Sequence, residues 1–360
     1  MEYQRFKLQD LIKEFYYGTM PKEEDMVEDG FPINSGYRVV GYTNKYNIKE
    51  DTLIVIARGV GGTGKVKIVP AKTFLTNLSI ALIHDKEKID LRYAYYYLNQ
   101  QGLRYLDSGA AQSQITINNL KKHIVFIPPK KQQNKIASIL SIFDDLIEKN
   151  NRKIAILQKM AEELYKEWFV RFRFPGYKTT KFKDGIPEGW EVDKIKNKAK
   201  RLPFNRLYKE FELEEEGKVI VIDQSEKEFL GFHNNEPSHI ASYEDPICLF
   251  GDHSCKFQLM TQPFSLGENV VPFKGNNINS YYLFYSTHKI IETEEYKRHW
   301  GLFVSKKILI PPMALQRNFE KHLVTIHKQI DTINKCQRLL IKQRDLLLPR
   351  LMSGKLEVKA

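Results

Sequence analysis

The sequence predicts an α+β chain: two small α/β half-domains with twisted sheets, separated by two long antiparallel helices that form an intramolecular coiled coil. Three observations carry that prediction. They are a long-period internal repeat, two heptad stripes of equal length, and a strand-turn-strand pattern ahead of each stripe.

The repeat is anchored on Phe126-Ile127-Pro128-Pro129, which returns as Leu309-Ile310-Pro311-Pro312 at an offset of 183 residues (311 against 128). Carried forward, that offset matches Gln133 with Gln316, Ile136 with Phe319, Leu140 with Leu323 and Phe143 with Ile326. It also matches Ile147 with Ile330, Leu157 with Leu340 and Leu164 with Leu347. A chance Pro-Pro match does not hold an apolar register over that distance.

Each Pro-Pro opens a helix. In the first, Ile136, Leu140, Phe143, Ile147, Asn150, Ile154, Leu157, Ala161, Leu164 and Trp168 step alternately by four and three, an a/d stripe with one polar member. The second reads Phe319, Leu323, Ile326, Ile330, Ile333, Gln337, Leu340, Arg344, Leu347 and Leu351. Pro175 and Pro349 are expected to end the runs, because proline lacks the amide hydrogen a helix needs. At 1.5 Å per residue each helix is roughly 55–65 Å long.

An antiparallel register in which paired residue numbers total 487 sets Asn150 against Gln337, so that two buried amides satisfy each other. A one-heptad slip would leave Asn150 facing Ile330. The same register sets Trp168 against Phe319 and Leu140 against Leu347. It leaves Phe143 against Arg344, whose aliphatic stem can cover the ring. The organisation expected is a first half-domain at 1–128, a helix at 129–174, a linker and second half-domain at 175–310, a helix at 311–352 and a tail at 353–360.

Ahead of the first helix, Asp51 to Arg58 reads as a strand, followed by a glycine-rich turn to Lys65 and a return strand from Val66 to Val69. The second half offers Pro246 to His253 and then Lys256 to Met260. A further apolar stretch follows each hairpin, and then a tyrosine-rich helix, Leu91 to Leu98 and Ser280 to Tyr285. Tyrosines at helical spacing read as core. Pro175 to Trp190 is punctuated by glycine and proline and reads as the connector, and the repeat restarts near Trp190.

Lysine and arginine number 56 against 44 acidic residues, a net charge of +12, which points to a polyanionic partner, nucleic acid first. The run Lys194 to Arg201 reads as a solvated basic face, with phosphate contact as the sharper alternative. Hydrophobic content of 42% excludes wholesale disorder, and no apolar run is long enough to span a bilayer. With no signal pattern at the start and three scattered cysteines, the chain is expected to be cytoplasmic and away from membranes.

Gly59-Val60-Gly61-Gly62-Thr63-Gly64-Lys65 comes close to a nucleotide phosphate loop, but that motif needs Ser or Thr after the lysine and a helix beyond it. Here Val66 opens a strand, so the segment is better read as a hairpin tip carrying Arg58, Lys65 and Lys67 toward a DNA backbone. Lys256 occupies the comparable place in the second half. Ile127-Pro128-Pro129-Lys130 lacks the amide or carboxylate and the aromatic residue of an adenine-methylase tetrapeptide. Cys248, His253 and Cys255 fit no zinc spacing, so no metal is expected. No nucleophile-base pair or acidic nuclease cluster stands out, and no catalytic residue is expected.

Taken together, the chain resembles the specificity (S) subunits of type I restriction-modification systems. The resemblance rests on Pro128-Pro129-Lys130-Lys131-Gln132-Gln133-Asn134-Lys135-Ile136, similar to that family's Pro-Pro-x-x-x-Gln-x-x-Ile helix opening. It rests also on Ala111-Gln112-Ser113-Gln114-Ile115 before it and Leu164-Tyr165-Lys166-Glu167-Trp168-Phe169 at the helix end. Ile186-Pro187-Glu188-Gly189-Trp190, Leu348-Pro349-Arg350-Leu351-Met352-Ser353-Gly354 and Gly64-Lys65-Val66 complete it. The second half departs where His299-Trp300-Gly301-Leu302 replaces the small, glutamine-containing approach to Pro311.

The resemblance implies a non-catalytic reader of double-stranded DNA. Two target-recognition domains each read one part of a split, asymmetric site, and the helices set the gap between the parts. It implies two methylase subunits and motor-nuclease subunits as partners. S-adenosylmethionine, ATP and Mg²⁺ would be held by those partners and no cofactor by this chain. The competing reading is a coiled-coil scaffold without a DNA role. A nucleotide-dependent enzyme acting through Gly59 to Lys65 ranks behind it.

Overall fold

A computed structural model of the protein describes residues 3–59, 62–108, 113–292 and 297–356. Val60 and Gly61 of the hairpin turn, Ala111-Gln112, and residues 357–360 of the tail lie outside the described residues. The helices are α1 (Leu91–Gln101), α2 (Ile117–Lys122), α3 (Lys130–Tyr165), α4 (Ile195–Lys198), α5 (Ser280–Thr287), α6 (Trp300–Ser305) and α7 (Met313–Met352). The chain divides into two compact units, residues 1–149 with 337–360, and residues 150–336, so that each long helix contributes to both.

In the first unit a four-stranded antiparallel sheet runs in the order Ile12–Tyr17, Ser79–His84, Thr52–Ile56, Val66–Val69. A second sheet is ordered Met26–Val27, Arg38–Thr43, Phe31–Ser35, Phe74–Leu75, its last pair parallel. Gln4–Lys7 pairs with Ile124–Ile127, the strand that leads into Pro128-Pro129. Asp90 caps α1 by accepting a hydrogen bond from the Tyr93 amide at 2.9 Å. The capped helix buries Tyr93, Tyr96, Tyr97 and Leu98 in one core with Leu53, Val55 and Leu82 of the sheet. Ile136 and Leu140 of α3 join that core, as do Leu347 and Leu351 of α7.

The second unit repeats the plan. Its four-stranded sheet is ordered Ala199–Arg201, Val270–Gly275, Ile247–Gly251, Phe257–Met260, and Glu191–Lys194 pairs with Lys307–Ile310. That last strand stands 183 residues beyond Ile124–Ile127, the offset read from the Pro-Pro repeat. A smaller sheet adds Gly231–His233, Val219–Ile222 and Phe264–Leu266. The core is aromatic. Trp168 and Phe169 from the far end of α3 meet Phe319 near the start of α7, with ring centroids 5.9 and 5.0 Å away.

No position of either heptad stripe is exposed, from Ile136 to Trp168 or from Phe319 to Leu351. Within the first unit the beginning of α3 shares its core with the end of α7, and within the second the reverse holds. The two helices therefore run antiparallel.

Two helix ends differ from the sequence expectation. Pro349 does not stop α7, which continues to Met352. A proline one turn from the end removes one hydrogen bond, and the buried Leu351 and Met352 hold that last turn in the core. The first helix ends before Pro175. Its ladder loosens into a π turn over Lys166–Val170, around the buried Trp168 and Phe169, and the chain leaves at Phe172 with φ of 55°.

Candidate nucleic-acid interface

In the first unit, Thr52–Ile56 and Val66–Val69 form the hairpin that the glycine-rich segment closes, with Val55 opposite Val66. A strand rather than a helix follows Lys65, so the segment lacks the loop-to-helix order that a nucleotide phosphate loop needs. Gly64 has φ of 85°, and a Cβ there would stand 2.7 Å from the Arg104 amide nitrogen. Only glycine lets the turn lie against the Leu103–Arg104 backbone. That abutment brings Arg104 to the hairpin tip.

Three cationic side chains belong to this end. Arg58 is exposed, its backbone bridged to Gln114, and Arg104 is exposed beside Gly64. Neither carries an ion pair to an acidic group among the described residues. Lys65 is exposed and holds its ammonium 4.8 Å above the ring of Tyr37, which is itself 54% exposed. Lys67, which the sequence grouped with Arg58 and Lys65, is different. Its Nζ donates to Asn34 Oδ1 at 2.9 Å, and burial lowers its pKa. Lys67 is thus held against Phe31–Ser35 of the second sheet, while Arg58, Lys65 and Arg104 are exposed.

The corresponding hairpin of the second unit has another chemistry. Lys256 donates to the carbonyls of Ser225 (2.6 Å) and Lys227 (2.5 Å), and burial lowers its pKa. It ties a neighbouring loop to the hairpin instead of projecting outward. Asp252, at the turn, accepts from the amides of His299 (3.1 Å) and Trp300 (2.9 Å) and so caps α6. The His299-Trp300 departure in the sequence is therefore the start of a helix whose Trp300 packs on Phe250 and Phe273. Cys248 is buried, its thiol pKa pushed up by desolvation, and Cys255 adopts φ of 52° in the turn.

Exposed cations and aromatics of the second unit lie elsewhere. The basic run passes through α4, anchored by the fully buried Ile195, into Ala199–Arg201. There the Arg201 guanidinium lies 4.5 Å from the Phe204 ring centroid, with Lys200 exposed beside it. Phe211, 84% exposed, stands on the next turn. The sequence pattern singled out neither Arg104 nor Tyr37, since only the fold brings them to the hairpin. Phe204 and Phe211 carried a weak signal, two aromatics in a charged loop.

On the long helices, Ile142, Leu146, Ile156 and Met160 of α3 and Leu339 and Leu346 of α7 are exposed apolar residues outside the buried stripes. No helix among the described residues is long and apolar enough to cross a membrane.

Comparison with known proteins adds to this geometry. Residues 2–159 match the type I restriction modification DNA specificity domain family. The type I restriction enzyme MjaIX specificity subunit of Methanocaldococcus jannaschii is 26% identical, over 97% of this chain and 89% of its own length. A putative type I restriction enzyme MjaX specificity subunit of the same organism is 27% identical, over 82% of this chain and 76% of its own. The crystal structure of a type I restriction-modification S subunit from M. genitalium superposes with a TM-score of 0.66 at 21% identity, covering 98% of this chain and 96% of the other.

Proposed function

We propose that the chain is a specificity subunit of a type I restriction-modification system, which reads a bipartite, asymmetric DNA target and scaffolds the subunits that act there. Each compact unit reads one part of the target, and the paired long helices serve as the spacer between the parts. The chain itself is the non-catalytic recognition component, working in the cytoplasm.

The observation that carries this reading is the contrast between two copies of one architecture. The same hairpin presents Arg58, Lys65 and Arg104 in one unit, and in the other is closed by Lys256 and Asp252. An asymmetric sequence requires two unlike surfaces, and repeated backbone with divergent side chains supplies them. Arg58, Lys65 and Arg104 are assigned to phosphate or base-edge contact in the first unit, with Tyr37 alongside. Arg201 with Phe204 is assigned that role in the second.

The exposed apolar residues of α3 and α7 are assigned to two methylase subunits, with motor-nuclease subunits joining that assembly. S-adenosylmethionine, ATP and Mg²⁺ belong to those partners. Co-expression with the neighbouring adenine methylase, followed by mapping of modified adenines, tests the proposal. Methylation at a two-part sequence with a fixed gap is expected. Modification at an uninterrupted site, or none that depends on this chain, would refute it.

A further inference from the structure

Gln133 and Gln316 stand at the same place in the two repeats, and both are 1% exposed. In the first unit, Gln133 Oε1 accepts from the Asp90 amide at 2.9 Å, while Nε2 donates to the carbonyls of Pro128 (2.9 Å) and Lys88 (3.0 Å). In the second, Gln316 Oε1 accepts from the Asn279 amide at 2.8 Å, and Nε2 donates to the Pro311 carbonyl at 2.7 Å. Asp90 and Asn279 are themselves the residues that cap the tyrosine-rich helices α1 and α5. Each glutamine therefore joins three things: the first turn of a long helix, the Pro-Pro step before it, and the start of the helix on which the recognition sheet packs.

A second tie runs parallel to each. The Phe126 amide donates to Tyr97 Oη at 2.9 Å, and Tyr282 Oη donates to the Leu309 carbonyl at 2.6 Å. Phe126 and Leu309 are again 183 residues apart, yet the tyrosines occupy different turns of their helices. The second tie has been rebuilt between the copies, whereas the glutamine is the same in both.

A methionine of similar volume would fill either site, but it would leave the Asp90 or Asn279 amide and the proline carbonyl without this partner. What the amide adds is direction, because its hydrogen bonds tolerate only small departures in distance and angle. From this we infer that Gln133 and Gln316 are positioning residues that fix the angle of each recognition unit on its long helix, and thereby the gap between the two half-sites. The inference rests on the two-part reading proposed above. A tilt at the root of a long helix is magnified at its far end, and one base step along a strand is only about 3.4 Å.

The test uses the full chain with its methylase on DNAs that carry both half-sites at the native gap, or with one or two base pairs added or removed. Gln133→Met and Gln316→Met should each weaken the preference for the native gap by about tenfold, the scale of losing two or three directed hydrogen bonds. The bases read in each half-site should stay unchanged, and both variants should fold, with a melting temperature a few degrees below the parent's because buried backbone groups lose a partner. A gap profile as sharp as the parent's in both folded variants would overturn the inference while leaving the two-part reading intact. Failure of both variants to fold would also overturn it, because the amides would then be holding the fold and not the angle. A parent chain that directs no two-part methylation would sink the underlying reading, and the inference with it.

Discussion

Arg344 of α7 places its Nη1 2.7 Å from Oδ1 of Asp144 on α3, and the same carboxylate accepts a hydrogen bond from the Tyr96 hydroxyl of α1 at 2.5 Å. Three helices of the first unit thus meet on one carboxylate. The sequence register sets Arg344 against Phe143, with its stem over the ring. Its guanidinium reaches the carboxylate of Asp144, the residue beside Phe143, and takes Asp345 as a second partner. Asp144 and Arg344 are each about 30% exposed at the side chain, so their attraction is partly screened. Asp144→Ala should cost about 1–3 kcal/mol through loss of both partners, and Arg344→Met about 1 kcal/mol. Urea unfolding of the two variants checks the order, and equal stability of all three chains would remove this junction from the account.

The two stripe ends are packed differently from the junction and should respond differently. Leu140 and Phe319 are fully buried in the first and second cores. Truncation to alanine should destabilise by about 2–5 kcal/mol at either site, through lost burial and the cavity left behind. Ile156→Ala on the exposed face should stay within about 0.5 kcal/mol. Thermal denaturation of the three variants distinguishes a buried seam from a solvated one.

Acid should loosen the second unit. His327 of α7 meets the Tyr285 hydroxyl at 3.0 Å, beside Tyr281 and Asp331, and desolvation lowers its pKa from 6.5 to about 4. A folded-state pKa below the unfolded value means that the unfolded chain binds the extra proton first. Stability is therefore complete above about pH 6.5, falls as the pH drops through the window, and levels off near pH 4, for a total of at most about 3 kcal/mol. Melting temperature against pH should show that slope, and His327→Gln should flatten it. An identical slope in the variant would assign the acid sensitivity to other groups.

The hairpin cations make opposite predictions for binding and stability. Replacing Arg58, Lys65 or Arg104 by alanine should lower DNA affinity and reduce the salt slope by roughly 0.9 for each phosphate left without its cation. Lys256→Ala should leave the slope unchanged and lower stability instead, because its ammonium serves the carbonyls of Ser225 and Lys227. Titrations at several salt concentrations separate the four residues.

What the sequence made legible is what repeats. The Pro-Pro pair, the 3-4 apolar spacing and the hairpin at Asp51 to Val69 are local patterns, and each appears where its chemistry places it. The helix ends were less legible, because Pro349 is overruled by the burial of Leu351 and Met352 two and three residues later. The interface was legible only in part. Lys256 and Lys67 look like Arg58 and Lys65 in a linear reading, and only the carbonyls and amides that the fold brings to them show which ammonium groups are already engaged. Arg104 lies far from the hairpin in sequence and reaches it through the cleft that Gly64 leaves open.

The most direct measurement of the central claim is a methylation map from a chain whose residues 1–128 have been exchanged for the matching segment of a relative with a different target. Two independent readers on one spacer predict that one half-site changes to the relative's while the other half-site and the gap stay as they were. A target altered in both halves, or in neither, would contradict the account.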